Sequence, residues 1–202
     1  MPSIDEVLIL AGALLLGCPL PLLAVQILWI NLVTEGALTV NLVMEGPEGD
    51  EMRRAPLPAG TPLIDRAMLL RLVTMVASSV VATFGFYLWR LSTAVPLELA
   101  RTEAFTVLVV CQWFNVLNCE SATRSVLRLG IWRNKWLLGG LALANLLHLA
   151  VVFAPPLNRL FHTVPIPAAD FFLIGAVASL VLWVEEARKA LAALCRPGAR
   201  AA

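Results

Sequence analysis

The chain has 202 residues, 59% of them hydrophobic and 14% charged, with a mean hydropathy of +0.82 and a formal net charge of +1. Such a composition leaves too little polar surface for a water-soluble domain and makes the lipid bilayer the natural solvent. No nucleic-acid partner is expected.

Apolar segments about as long as the roughly 20 residues that cross a hydrocarbon core follow one another along the chain. Breaks at Gly, Pro or charge clusters predict helices over about 4–17, 20–44, 66–90, 103–124, 136–154 and 168–194. The first is short, about 22 Å from Ser3 to Gly17, and reads as a helix whose beginning lies upstream. Asp5 and Glu6 stand where a secretory signal carries positive charge, so no cleavage is expected. The expected fold is an all-α polytopic bundle of six transmembrane helices, the first truncated and the second interrupted near Thr34 to Gly36. Residues 1–202 then form a single transmembrane domain.

The basic residues give this bundle an orientation. Arg53, Arg54, Arg66, Arg71, Arg124, Arg128, Arg133, Lys135, Arg188, Lys189, Arg196 and Arg200 fall on one side, leaving Arg90, Arg101 and Arg159 opposite. That places 12 of the 15 basic residues in the cytoplasm, together with both termini. Cys18, Cys111, Cys119 and Cys195 are expected to be free thiols, because Cys111 and Cys119 lie about 12 Å apart along one helix and the others in different elements. Cys18-Pro19 sits in a tight extracytoplasmic turn with no second thiolate, so a soft-metal site is not expected.

The second segment contains Asn31-Leu32-Val33-Thr34-Glu35-Gly36. Asn31, Thr34 and Glu35 have the i, i+3, i+4 spacing of one helix face. A carboxylate at membrane depth costs about 2.5 to 3.5 kcal/mol, so Glu35 needs an interior partner, for which a cation would serve. Gly36 lets the helix unwind and frees carbonyl oxygens, as in the broken helices of transporters. The plainer reading is interhelical hydrogen bonding by Asn31 and Thr34, with Glu35 protonated or paired. Glu6 in the first segment and Gln112 in the fourth, with Asn115 a turn further on, bring oxygen to membrane depth on two more helices. Glu6 sitting at the water interface, and Gln112 and Asn115 joining helices, are the alternatives. The candidate ligands Glu6, Asn31, Thr34, Glu35 and Gln112 are all oxygen donors, which suits hard cations such as Ca²⁺, Mn²⁺, Mg²⁺, Na⁺ or K⁺. His148 and His162 have no ligand companions and read as structural. Glu185 and Glu186 precede Arg188 and Lys189 and read as local ion pairs. Trp89, Trp132 and Trp136 fall near predicted interfaces, whereas Trp29 and Trp113 lie deeper.

No glycine-rich phosphate loop and no nucleophile paired with a base occurs, and the longest cytoplasmic connection, from Glu45 to Arg66, is too short for a nucleotide-binding domain. No catalytic activity or bound cofactor is expected of this chain alone. The run from Pro19 to Gly36, PLPLLAVQILWINLVTEG, resembles the sixth transmembrane helix of P-type cation-transporting ATPases of the calcium-pump type. The resemblance continues through Met52-Arg-Arg-Ala-Pro56, Pro62-Leu-Ile-Asp-Arg66, Ala100-Arg-Thr-Glu-Ala-Phe105, Cys111-Gln-Trp-Phe-Asn-Val-Leu-Asn-Cys119, Leu147-His148 and Phe161-His-Thr-Val-Pro165, and so covers nearly the whole chain in order. Bacterial members are the most similar in character, which implies a bacterial inner-membrane location.

The resemblance implies that the chain corresponds to the last six of ten transmembrane helices. It assigns cation ligands to Glu6, to Asn31, Thr34 and Glu35, and to position 112, with Ca²⁺ the favoured ion. ATP and Mg²⁺ would act only in pump domains upstream, which become expected partners. A regulatory helix bundle that assembles with another membrane subunit is the alternative. Departures from the family pattern are Glu35 in place of Asp, Ser3 in place of a common Asn, Asp5 in place of a small Gly and Gln112 in place of the Glu of two-site calcium pumps. One divalent ion is therefore expected rather than two.

Overall fold

The computed structural model describes residues 2–33, 36, 66–119 and 135–194, and all its regular elements there are helical. In chain order they are α1 (Pro2–Leu15), α2 (Ala24–Ile30), α3 (Arg66–Ser92), α4 (Leu97–Cys119), α5 (Lys135–Phe153), α6 (Pro155–Phe161) and α7 (Ala168–Leu194).

The helix ends follow from local chemistry. Gly17 adopts a positive φ of 63°, and Cys18 N–H donates back to the Ala13 carbonyl at 2.9 Å, which closes α1 with a glycine-dependent cap. The turn that follows is held from outside: the Tyr87 hydroxyl donates to the Pro19 carbonyl at 2.8 Å, and Arg101 Nε donates to the Leu20 carbonyl at 2.8 Å. Between α3 and α4, Ala94 takes a left-handed φ of 56°. α4 then starts at Leu97 rather than near residue 103, with Glu98 in its first turn, where a negative charge suits the helix dipole. α6 was expected to be loop. Pro155 and Pro156 stand at its start, where a missing N–H costs nothing, so the prolines initiate a helix instead of only ending one.

α4 is the centre of the bundle. Its residues 102–109 are all buried, and it packs on α3 and α7, which also pack on each other. One apolar cluster joins Ala82 and Phe86 of α3, Val107 and Cys111 of α4, Val152 of α5 and Ile174, Ala178 and Val181 of α7. A second joins Ile9 of α1, Ile30 of α2, Phe105 and Leu108 of α4, Val151 of α5 and Phe161 of α6. α3, α5 and α7 are long and apolar enough to cross a bilayer, and only 28%, 33% and 22% of their most apolar windows is buried within the protein. Their remaining surface is the kind that lipid covers. α4 falls short on hydropathy because its polar side chains face protein rather than lipid.

Charge networks close both ends of the α3–α4–α7 core. At one end Arg90 forks onto the fully buried Glu103 with both contacts at 2.5 Å and reaches Asp170 at 2.9 Å. At the other, Glu185 accepts two hydrogen bonds from Arg188 at 2.7 Å and pairs with Arg71 at 3.2 Å, while Arg71 Nη2 also donates to the Asn118 carbonyl. The local pairs expected of Glu185 and Glu186 are present, with Lys189 3.3 Å from Glu186, and Arg71 adds a link between helices. Cys18, Cys111 and Cys119 are free thiols, and Cys195 lies outside the described residues.

Candidate cation site

In a membrane helix the polar face turns inward, and α1 shows this directly. Ile4, Val7, Leu8, Leu14 and Leu15 are exposed, while Asp5, Glu6, Ile9 and Ala13 are buried. Glu6 is 4% exposed, so it belongs to the interior rather than to a water interface. Its Oε2 accepts a hydrogen bond from Asn31 Nδ2 at 3.1 Å, which ties α1 to the start of the irregular stretch in the second segment.

That stretch begins at Asn31, the first polar residue of the run Asn31 to Gly36. α-Helical bonding stops at Ile30, and residues 31–33 and 36 are π-helical. The Asn31 N–H is shared between the Ile27 and Leu28 carbonyls. A π turn loosens the backbone ladder and is frequent at functional sites. Thr34 and Glu35 lie outside the described residues.

Gln112 is 2% exposed, but its partner is Asp5: Nε2 donates to Asp5 Oδ2 at 2.7 Å. Asp5 is fully buried, although its sequence position reads only as a departure from a glycine. The signal that could have found it is the burial stripe of α1, since Asp5 shares a face with Ile9 at i+4. Asn115 acts between helices, with Nδ2 donating to Ser79 Oγ of α3 at 2.9 Å. Among the described residues the structure thus joins Glu6 to Asn31 and, separately, Gln112 to Asp5.

Gln26 is a second residue that sequence reasoning passed over. It is fully buried; its Oε1 accepts from the Leu23 N–H at 3.1 Å and its Nε2 donates to the Phe161 carbonyl at 3.1 Å, so it starts α2 and fastens it to α6. His148 is structural, as expected. It is buried, 3.2 Å from Thr106 Oγ1, with its ring against Phe105 and Trp113. His162 is exposed at the end of α6, on the rim of an open cavity of about 660 Å³ lined also by Glu98, Arg101 and Asn158. None of the expected cation ligands lines that cavity. No three His, Cys, Asp or Glu side chains cluster among the described residues.

The family described as Cation transporting ATPase, C-terminus, matches residues 19–191. The chain belongs to this family. It is 36% identical to calcium-transporting ATPase type 2C member 2 of Mus musculus, over 85% of this chain and 18% of that protein. It is 34% identical to a calcium-transporting ATPase of Bacillus subtilis, over 88% of this chain and 20% of that protein. With calcium-transporting ATPase 1 of Schizosaccharomyces pombe the identity is 33%, over 93% of this chain and 21% of the relative. The chain therefore spans about a fifth of the length of these relatives. Its three long apolar helices and its family make it an integral membrane protein related to P-type cation pumps.

Proposed function

We propose that this chain is the C-terminal membrane part of an ATP-driven pump for a hard cation, Ca²⁺ first among them, and that it supplies part of the transport site. The hydrogen bond between Glu6 and Asn31 carries the reading, because it brings a buried carboxylate of α1 to the π turn of the second segment. Carboxylate and amide oxygens suit Ca²⁺, with Mn²⁺, Mg²⁺, Na⁺ and K⁺ as weaker candidates. Glu6 is the carboxylate ligand of α1, Asn31 a neutral oxygen ligand, and Gln112 a weaker amide ligand. Thr34 and Glu35 complete the set by their spacing from Asn31.

In this reading six helices cross the inner membrane of a bacterium, with the N-terminal side of α1 and the tail after α7 in the cytoplasm. ATP and Mg²⁺ act on pump domains outside these 202 residues. Phosphorylation there shifts the helices between two states of different cation affinity, and the cation follows that difference across the membrane. In the complete pump Glu6→Gln and Asn31→Ala are expected to abolish cation-dependent phosphorylation by ATP. Unchanged phosphorylation and ion dependence in both variants would refute the site and favour a non-transporting helix bundle that assembles with another membrane subunit.

A further inference from the structure

α3 and α7 pack on each other, and on the outer side of that contact runs an open groove of about 440 Å³. Its α3 wall runs from Ser78 through Ala82 to Trp89, and its α7 wall from Leu173 through Val177 to Val184, each at the three- and four-residue spacing of one helix face. Ser78 Oγ donates to the Met75 carbonyl of its own helix at 2.9 Å, so the groove is apolar between its ends. Gly85 keeps it open. This residue stands four positions from both Val81 and Trp89, in the middle of the α3 wall. Glycine is the poorest helix former after proline, yet a Cβ on Gly85 would meet no atom within 4 Å, so close helix packing does not call for it. What the missing side chain provides is room.

The dimensions select the occupant. From Ser78 to Trp89 the helix rises about 16 Å, close to the roughly 15 Å of hydrocarbon in one leaflet. A volume of about 440 Å³ over that length leaves a cross-section of about 27 Å². A further helix, about 10 to 12 Å across with its side chains, needs on the order of 80 Å² or more. An extended hydrocarbon chain, about 4 to 5 Å wide at carbon contact distances, fits. The mouth of the groove suits the rest of such a molecule. Trp89 is 46% exposed there, edge to face with Phe86 at 5.6 Å and with the Arg90 guanidinium 5.5 Å from its ring centre. Tryptophan is a residue of the membrane interface. Asp170, three residues before Leu173, extends the α7 wall past its apolar part and pairs with Arg90 at 2.9 Å.

We infer that the α3–α7 groove binds one glycerophospholipid of the leaflet at the Trp89 end, with an acyl chain against Gly85 and the head group beside Trp89 and Asp170. Walls on two sides give that chain contacts that lipid on an open helix face lacks, so it stays when the surrounding lipid is washed away. The site depends on α3 and α7 crossing the bilayer and is independent of the cation ligands.

The test counts retained lipid on the full-length protein. The protein is reconstituted in vesicles of phosphatidylethanolamine and phosphatidylglycerol, extracted, washed in detergent and weighed intact by native mass spectrometry. Gly85→Leu fills the groove without a clash at its Cβ, and Gly139→Leu makes the same change at an exposed position of α5 with equal free space, outside the groove. The unmodified protein and Gly139→Leu are expected to retain one phospholipid more than Gly85→Leu. Equal counts in all three, an equal loss in both variants, or a polypeptide lost from Gly85→Leu in place of a lipid overturns the site. A second measurement needs no variant: phosphatidylethanolamine with a diazirine halfway along one acyl chain, crosslinked after the wash, is expected to label residues 78–89 and 173–184. Labelling spread equally over α5 overturns the proposal.

Discussion

At the two ends of the α3–α4–α7 core, Glu103, Asp170 and Glu185 share their oxygens with guanidinium groups, whereas Asp5 and Glu6 take hydrogen bonds from the neutral amides of Gln112 and Asn31. Along α4, Gln112 falls between these ends, nine residues beyond Glu103 and six before Asn118. A carboxylate bound to a guanidinium has its countercharge built in and acts as a fastening. On the pump reading Glu6 handles the ion, so the same residue types divide into structural and ion-handling roles.

Substitutions can break that division. The largest effect on stability is expected from Glu103→Gln, which leaves the buried Arg90 guanidinium without its forked partner. Loss of one member of a buried pair costs about 3 to 5 kcal/mol, so thermal denaturation in detergent should show a large drop while Ca²⁺ affinity stays unchanged. A stable variant with lost Ca²⁺ affinity would reverse the assignment of roles. Glu6→Gln should do the opposite: Ca²⁺-dependent phosphorylation is abolished at the Ca²⁺ concentrations that saturate the unmodified pump, a binding loss of at least about 3 kcal/mol, with little change in thermal stability. Glu185→Gln should be milder than Glu103→Gln, about 1 to 2 kcal/mol in the same denaturation assay, because Arg71 and Arg188 are partly exposed and can be solvated. Ser79→Ala removes one hydrogen bond to Asn115 and sharpens the scale at its lower end, at about 0.6 kcal/mol.

Much of this arrangement was legible in the residues. Hydropathy found the elements that lipid contacts: the segments predicted over 66–90, 136–154 and 168–194 correspond closely to α3, α5 and α7. It failed where protein surrounds a helix. α4 starts six residues before its predicted beginning because Glu98 and Arg101 read as a loop, and Glu103, at the predicted start, is buried against Arg90 of α3. Hydropathy carries no record of a charge whose partner lies on another helix. Pro155-Pro156 read as a break because the same residue that stops a helix also opens one.

The site was legible in part for a related reason. Glu6, Asn31 and Gln112 stand out as polar residues in apolar segments, and all three turn inward in the bundle, Glu6 and Gln112 deeply buried and Asn31 partly so. Their pairing did not follow from that. Which carboxylate Gln112 meets depends on the rotation of α1 against α4, and a single-residue difference in that rotation selects Asp5 over Glu6. The helix break was anticipated in the run from Asn31 to Gly36, and the π turn starts at Asn31.

The Arg90–Glu103 fork also bears on how the chain is made. α3 and α4 are joined by a turn of only four residues, so the two charges follow each other closely during synthesis. Presented singly to the hydrocarbon, a charged side chain such as arginine costs about 2.5 to 3.5 kcal/mol. Joined across the hairpin they present a neutral pair, so the α3–α4 hairpin is expected to enter the bilayer as one unit.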